Sequence, residues 1–167
     1  MISDALKRVY ASAPVDDHYI ECITISHPNL AFTEQDLTNE FGGVTATLED
    51  GSTQKTFSYF PFSIIPPRAA EESALSLQVV MDNVGRALID ELEAAALDPT
   101  EPLHFTYRVY LATDLTAPQN DPPLNLDITS VTVTNTVVSF TAGTTNLRSR
   151  PFPSELYTVE AFPGLSR

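Results

Sequence analysis

Alternating apolar and polar residues occupy much of this chain and predict β-strands. In this period-two pattern, successive side chains point to opposite faces of a sheet. The pattern predicts six or seven strands, in segments 18–26, 44–49, 55–59, 75–81, 103–113, 124–133 and 137–142. In 18–26 the apolar residues fall on both faces, which predicts a strand that is covered on both sides.

Three local features refine these strands. Asp50-Gly51 favours a turn at positive φ, so 44–49 and 55–59 are expected to form a hairpin. The alternation in 124–133 slips by one residue at Thr129-Ser130, which predicts a β-bulge or bend. Asn135-Thr136 is expected to turn the chain into the last strand.

Two segments instead repeat with the period of an α-helix. A short N-terminal helix, capped by Ser3 or Asp4 and closed before Pro14, is predicted by one apolar face, formed by Ile2, Ala5, Leu6, Val9 and Tyr10. A second helix is predicted over 83–97, with Asn83 as its cap and an apolar face of Val84, Leu88, Leu92 and Ala95. The expected fold is mainly β, an antiparallel β-sandwich or barrel with the second helix packed on it.

The short apolar segment 62–65 does not fit either pattern. Phe62, Ile64 and Ile65 lie between Pro61 and Pro66, and proline lacks the N–H that a sheet interior needs. The segment is too apolar to remain in water. We expect an apolar loop that packs on another surface.

Length and composition restrict the class of protein. A chain of 167 residues and 18.3 kDa suits one domain spanning 1–167, and 43% hydrophobic residues indicate a folded protein. The formal net charge of −13 argues against a protein that grips nucleic-acid phosphates. One cysteine cannot form an intramolecular disulfide, and neither a targeting segment nor a membrane span is recognisable, so a cytoplasmic product is expected.

Few residues suggest chemistry. Asp16-Asp17 and Glu71-Glu72 are carboxylate pairs of the kind used in acid and base catalysis, but both fall in loop-like segments where solvated charges are the common case. Asp16-Asp17 with His18 and His27 lacks the spacing of a metal site. We therefore expect no metal.

The remaining search for catalytic motifs gives the same outcome. Cys22 lies in an apolar strand without a basic neighbour, so it is interpreted as a core residue. Six scattered glycines form no nucleophile elbow, phosphate loop or dinucleotide fingerprint. The sequence favours an assembly component that is not an enzyme and has no cofactor.

The C-terminal segment, residues 146–167, differs in charge from the rest of the chain. Its last twenty residues carry a net charge of +1, whereas the first 147 carry −14. Arg148 and Arg150 accompany large apolar residues, namely Phe152, Leu156, Tyr157 and Phe162. Such a segment either docks onto an acidic neighbour in a head-to-tail ring or folds back onto its own domain.

The order of short motifs along the chain resembles a known family. These motifs are 3–6 (SDAL), 10–13 (YASA), 27–28 (HP), 46–51 (ATLEDG), 81–84 (MDNV), 152–153 (FP), 157–158 (YT) and 162–165 (FPGL). Together they resemble the minor tail proteins of long-tailed bacteriophages and prophages, catalogued as a domain of unknown function. The resemblance covers essentially the whole chain.

This resemblance implies a tail-tip component of the virion, similar in place to distal tail proteins. Such proteins form a ring, commonly of six copies, between the tail tube and the tip hub. An acidic lumen would let DNA pass without specific binding. No catalytic residue is implied. The assembly interface is expected to use the residues Arg148, Arg150, Phe152, Tyr157, Phe162, Phe62, Ile64 and Ile65.

A second hypothesis comes from a different class. A small β-barrel could bind an apolar ligand in an internal pocket, lined by Phe57, Tyr59, Phe105 and Tyr107. Ring assembly predicts exposed apolar segments that only partners cover, whereas a ligand binder would be a compact monomer with a cavity.

Overall fold

The computed structural model describes residues 2–12, 17–28, 34–65, 76–82, 102–134 and 136–144. Within these residues the chain forms one helix, α1 (Asp4–Ser12), and nine strands. The strands are β1 (Tyr19–Ser26), β2 (Glu34–Thr38), β3 (Val44–Thr47), β4 (Gln54–Tyr59), β5 (Phe62–Ile65), β6 (Ser76–Asp82), β7 (His104–Leu111), β8 (Leu124–Val133) and β9 (Val137–Gly143).

The fold is mainly β, as predicted. All nine strands belong to one sheet with the order β3-β4-β2-β1-β7-β8-β9-β6-β5. Neighbours are antiparallel except β2 and β4, which are parallel, so the sheet is mixed but mainly antiparallel. The reason is that β3 reverses the chain after β2 and then takes the outer position, which leaves β4 beside β2.

The connection between β4 and β5 shows that the sheet bends back on itself. In a flat sheet these strands would be separated by seven strand spacings, roughly 34 Å. Only Phe60 and Pro61 join them, and three Cα steps reach at most about 11 Å. Phe60 N–H donates to Thr38 O, and Pro61 O accepts from Asp82 N–H, so this link bonds to both regions of the sheet. This closure is compatible with the predicted sandwich or barrel.

Apolar side chains fill both faces of the central strands. Ile23 and Ile25 of β1 join the largest buried cluster with Phe105 and Phe140, whose rings meet edge to face at 5.6 Å. The opposite face of β1 joins a second cluster with Ala46, Phe57 and Tyr110. The prediction that this strand is covered on both sides is confirmed.

Several local predictions are also confirmed. The hairpin pairs Val44 with Phe57 and Thr47 with Gln54, and Gly51 adopts a φ of 68°. The register between β8 and β9 shifts between Ile128 and Ser130, where the alternation slips. In contrast, the eleven-residue strand predicted over 103–113 is shorter, because β7 ends at Leu111 and the chain then turns.

The sequence underestimates the number of strands. Segment 62–65 is not a loop but strand β5, which lies at one edge of the sheet and, among the described strands, pairs only with β6. Flanking proline is tolerated there because an edge strand needs ladder hydrogen bonds on one side only. Strand β2 was missed as well, since its sequence EQDLT lacks an apolar alternation.

The N-terminal helix forms over α1 and packs on β7. Ser3 is the cap, since its Oγ accepts from Leu6 N–H at 3.1 Å. Leu6 and Val9 are buried against Val109 and Leu111, whereas the other members of the predicted apolar face, Ile2, Ala5 and Tyr10, are exposed. The helix predicted over 83–97 lies outside the described residues. No helix in the described part of the chain is long and apolar enough to span a membrane.

Candidate functional site

Two pairs of exposed aromatic residues lie near one end of three adjacent strands, on opposite faces of the sheet. We call Phe41 and Tyr59, on the face that carries Phe57, the aromatic patch, and Tyr10 and Tyr19 form the pair on the other face. Tyr19 begins β1, Tyr59 ends β4, and Phe41 follows the end of β2, which lies between β1 and β4. The rings form two edge-to-face pairs, Phe41 with Tyr59 and Tyr10 with Tyr19, each with centroids 5.3 Å apart.

Phe41 is the most exposed of these four aromatic residues. It is 85% exposed, compared with 53% for Tyr10, 44% for Tyr59 and 41% for Tyr19. Large aromatic side chains gain free energy on leaving water, and Phe and Tyr are enriched at protein interfaces. The aromatic patch therefore has the composition of a surface that binds another protein.

The loop that carries Phe41, residues 39–43, is held at its start by Glu21. Asn39 Nδ2 donates to Glu21 Oε2 at 3.1 Å, and Glu21 N–H donates to Asn39 Oδ1 at 3.1 Å. The Glu40 N–H donates to Thr38 Oγ1, and the Glu40 carboxylate lies 3.1 Å from His18 Nε2. Because both residues before Phe41 are fixed, its ring is presented on an ordered backbone.

Gly43 holds the same loop at its other end. Its N–H donates to Glu40 O at 3.1 Å, and its φ of 78° lies in the left-handed region. A Cβ at this position would lie 2.7 Å from Phe57 O, which is backbone and cannot rotate away. Only glycine fits.

Replacing Gly43 with alanine is expected to lower the free energy of unfolding by about 1–3 kcal/mol, because the substitution adds a backbone clash to an unfavourable φ. Gly42→Ala is the matched control. Gly42 also has a positive φ of 92°, but no atom lies within 4 Å of its added Cβ. Urea unfolding of the two variants compares them, and equal losses of stability would contradict the close approach at Gly43.

The half-buried carboxylate of Glu21, which holds the loop at Asn39, is itself held by Tyr107 of β7. Tyr107 Oη donates to Glu21 Oε1 at 2.9 Å. Burial raises the pKa of Glu21, while the hydrogen bond from Tyr107 opposes that increase. Burial, together with the nearby Glu21 carboxylate, also raises the pKa of Tyr107, so its hydroxyl remains a donor at neutral pH. The Glu21 carboxylate therefore anchors the loop at residues 39–43.

A second polar network joins β7 to β1 and the hairpin. Arg108 is buried, and its guanidinium donates to both oxygens of Glu49, at 2.9 and 3.0 Å, and to Thr24 Oγ1 at 3.1 Å. Thr24 donates to Asp36, which also accepts from Lys55. Burial opposes the charge of Arg108, but the hydrogen bond and charge of Glu49, together with the nearby Tyr110 and Asp36, raise its pKa overall. The carboxylates of Glu49 and Asp36 balance the charges of Arg108 and Lys55, so we interpret the network as structural.

A cleft of about 390 Å³ opens beside β7, β8 and β9. It contains a hydrogen bond between His104 Nδ1 and Asp127 Oδ1 at 3.0 Å, and the two residues are direct partners across the strands. In the part of the chain that the structure describes, no hydroxyl or thiol hydrogen-bonds to His104. The cleft thus presents a cross-strand pair without an activated nucleophile among the described residues.

The structure separates several predicted sites. Phe57 and Phe105 belong to different buried clusters on opposite faces of the sheet, and Tyr59 is exposed, so the apolar pocket expected from Phe57, Tyr59, Phe105 and Tyr107 was wrong. His18 and His27 flank the two ends of β1, roughly 30 Å apart. No group of three or more metal-ligating side chains occurs among the described residues.

The remaining predicted residues have mixed outcomes. Cys22 is a core residue as expected, since it is fully buried and burial raises the pKa of its thiol to about 12. Phe62 and Ile64 pack partly against the main cluster, and Ile65 is exposed on the edge strand β5. Arg148, Arg150, Phe152, Tyr157 and Phe162 lie outside the described residues, as do Asp16 and Glu71-Glu72.

A comparison with known families places the chain. The model of a domain of unknown function, DUF1833, matches residues 5–157. The chain belongs to DUF1833. The match includes the aromatic patch, the cleft and both polar networks. No curated protein matches the chain.

Proposed function

We propose that this DUF1833 protein is a structural component of a bacteriophage tail tip, where it forms a ring between the tail tube and the tip hub. The observation that carries the proposal is Phe41, a large apolar side chain that is 85% exposed on an anchored loop. An ordered loop loses little conformational entropy when it binds, so its apolar surface is available for a stable contact.

The charge of the protein supports a position around a DNA channel. The chain carries a formal net charge of −13, and repulsion between carboxylates and DNA phosphates opposes adhesion of a passing genome. The resemblance of the motif order to minor tail proteins supports the same position. The proposed ring is a homo-oligomer, commonly of six copies, in the virion.

The proposed role predicts negligible binding to duplex DNA at physiological salt, because an acidic protein releases few counterions from phosphates. Fluorescence anisotropy with a labelled duplex measures this binding. A micromolar dissociation constant at 150 mM salt would contradict the proposed passive channel.

Quantitative mass spectrometry of purified tails tests the proposal. We expect peptides of this protein at a fixed ratio to the tail tube protein, corresponding to one ring per tail. A protein that is abundant in the lysate but missing from purified tails would overturn the proposed function.

A further inference from the structure

A carboxylate and three tyrosines lie together on the face of the sheet opposite the aromatic patch. We call Glu21 with Tyr10, Tyr19 and Tyr107 the tyrosine cluster. We propose that the tyrosine cluster binds an arginine side chain of a partner protein, whose guanidinium pairs with Glu21 and stacks on the rings of Tyr10 and Tyr19. This site does not depend on the proposed ring, because its test needs only the isolated protein.

Strand β1, strand β7 and helix α1 bring these side chains together. Tyr19 and Glu21 are two residues apart in β1, so they lie on one face. Tyr107 of β7 donates to Glu21 Oε1 at 2.9 Å, and the ring centroids of Tyr10 and Tyr19 are 5.3 Å apart. Burial and the nearby Glu21 charge raise the pKa values of Tyr10 and Tyr107, which places the carboxylate close to rings from two other elements.

The Glu21 carboxylate has neutral partners only among the described residues. Asn39 Nδ2 donates to one of its oxygens and Tyr107 Oη donates to the other. None of the ion pairs between described residues includes Glu21. Neutral donors fix the carboxylate in position but leave its negative charge, and burial raises its pKa because that charge is poorly solvated. A bound cation would compensate this charge.

The arrangement favours arginine over other cations. A carboxylate offers about four acceptor positions, and the bonds to described residues use one on each Glu21 oxygen. A guanidinium can therefore bond to both oxygens at once, whereas an ammonium is a strongly hydrated point charge. Tyr10 and Tyr19 are 53% and 41% exposed, so their rings are accessible to a stacked guanidinium.

Peptide titrations of the isotope-labelled full chain, followed by NMR at physiological salt, test the site. The probe is a capped glycine-arginine-glycine tripeptide, and the citrulline tripeptide is its uncharged isostere. We expect the arginine peptide to shift the ring resonances of Tyr10 and Tyr19 and to bind about fivefold more tightly than the citrulline peptide. Equal affinities, or shifts that bypass both rings, would overturn the site, and a lysine peptide that binds as tightly would overturn the choice of arginine.

Glu21→Gln tests the role of the charge. It should weaken binding of the arginine peptide about fivefold. Glu34→Gln is the matched control, because it removes the same charge from an exposed glutamate that lies opposite Ser26, at the other end of β1. The control should bind as the native protein does. Equal losses in the two variants would show general attraction to an acidic protein and would overturn the site.

Tyr10→Leu tests the rings while the carboxylate and its bond to Asn39 remain. Because Tyr10 is exposed on α1, the variant should keep a cooperative melt by circular dichroism. Its affinity for the arginine peptide should fall about two- to fivefold, which is the loss expected when one exposed contact between a cation and a ring is removed. A folded Tyr10→Leu variant with native affinity would contradict stacking on this cluster.

Discussion

Phe105→Ala is expected to lower the free energy of unfolding by about 3–5 kcal/mol. Phe105 is fully buried in the largest cluster and its ring meets Phe140 edge to face, so truncation leaves a cavity among residues from several strands. The chain contains no tryptophan whose fluorescence could report unfolding. Chemical denaturation followed by far-UV circular dichroism therefore measures the loss.

Phe41→Ala is the matched control for this experiment. It removes the same atoms from a residue that is 85% exposed, and we expect the free energy of unfolding to change by less than about 0.5 kcal/mol. Equal losses for the two variants would contradict the assignment of Phe105 to the core and Phe41 to a free surface.

Arg108→Met is expected to lower the free energy of unfolding by about 1–3 kcal/mol at neutral pH. The change removes both bonds to Glu49 and the bond to Thr24. The loss is smaller than the 3–5 kcal/mol typical when a fully buried pair is broken, because the Glu49 side chain is 37% exposed and water screens its charge.

The stabilisation by this pair depends on pH. The hydrogen bond from Arg108 lowers the pKa of Glu49 below its ordinary 4.5, so the pair contributes fully above that value. The contribution disappears as the pH falls through the lower pKa of the folded state. The difference in stability between the native protein and Arg108→Met should therefore shrink below pH 4.5.

Lys7→Met provides the control for the Arg108 experiment. It breaks the ion pair between Lys7 and Asp4 on the surface of α1, where both side chains are largely exposed. Such pairs contribute little, so no measurable change in the free energy of unfolding is expected at any pH. An Arg108→Met effect as small as this, or one that does not vary with pH, would contradict the structural role of the network.

Strands with a regular apolar alternation could be predicted from the sequence, because one residue in two is buried against a cluster. The bulge near Ile128 could be predicted for the same reason, since a one-residue slip moves the apolar side to the other face. Strand β2 could not, because Glu34 and Asp36 are polar and bond to Lys55 rather than pack in a core. Strand β5 was missed because its flanking prolines argued against a strand.

The candidate site was less accessible to sequence reasoning. The contact between Arg108 and Glu49 joins residues 59 positions apart, and no local pattern encodes it. One feature of the sequence pointed to Phe41. This aromatic residue directly precedes Gly42-Gly43, a pair that favours a turn over a strand. A large apolar residue in a turn is exposed unless another surface covers it, and that signal points to the patch.

Electron cryomicroscopy of purified tails tests the central claim most directly. The account predicts a ring of this protein at the tail tip, with its sheet around the DNA channel and the loop at residues 39–43 buried against a neighbouring subunit. A tail tip in which this protein is missing, or in which the Phe41 side chain of every copy remains exposed to solvent, would contradict it.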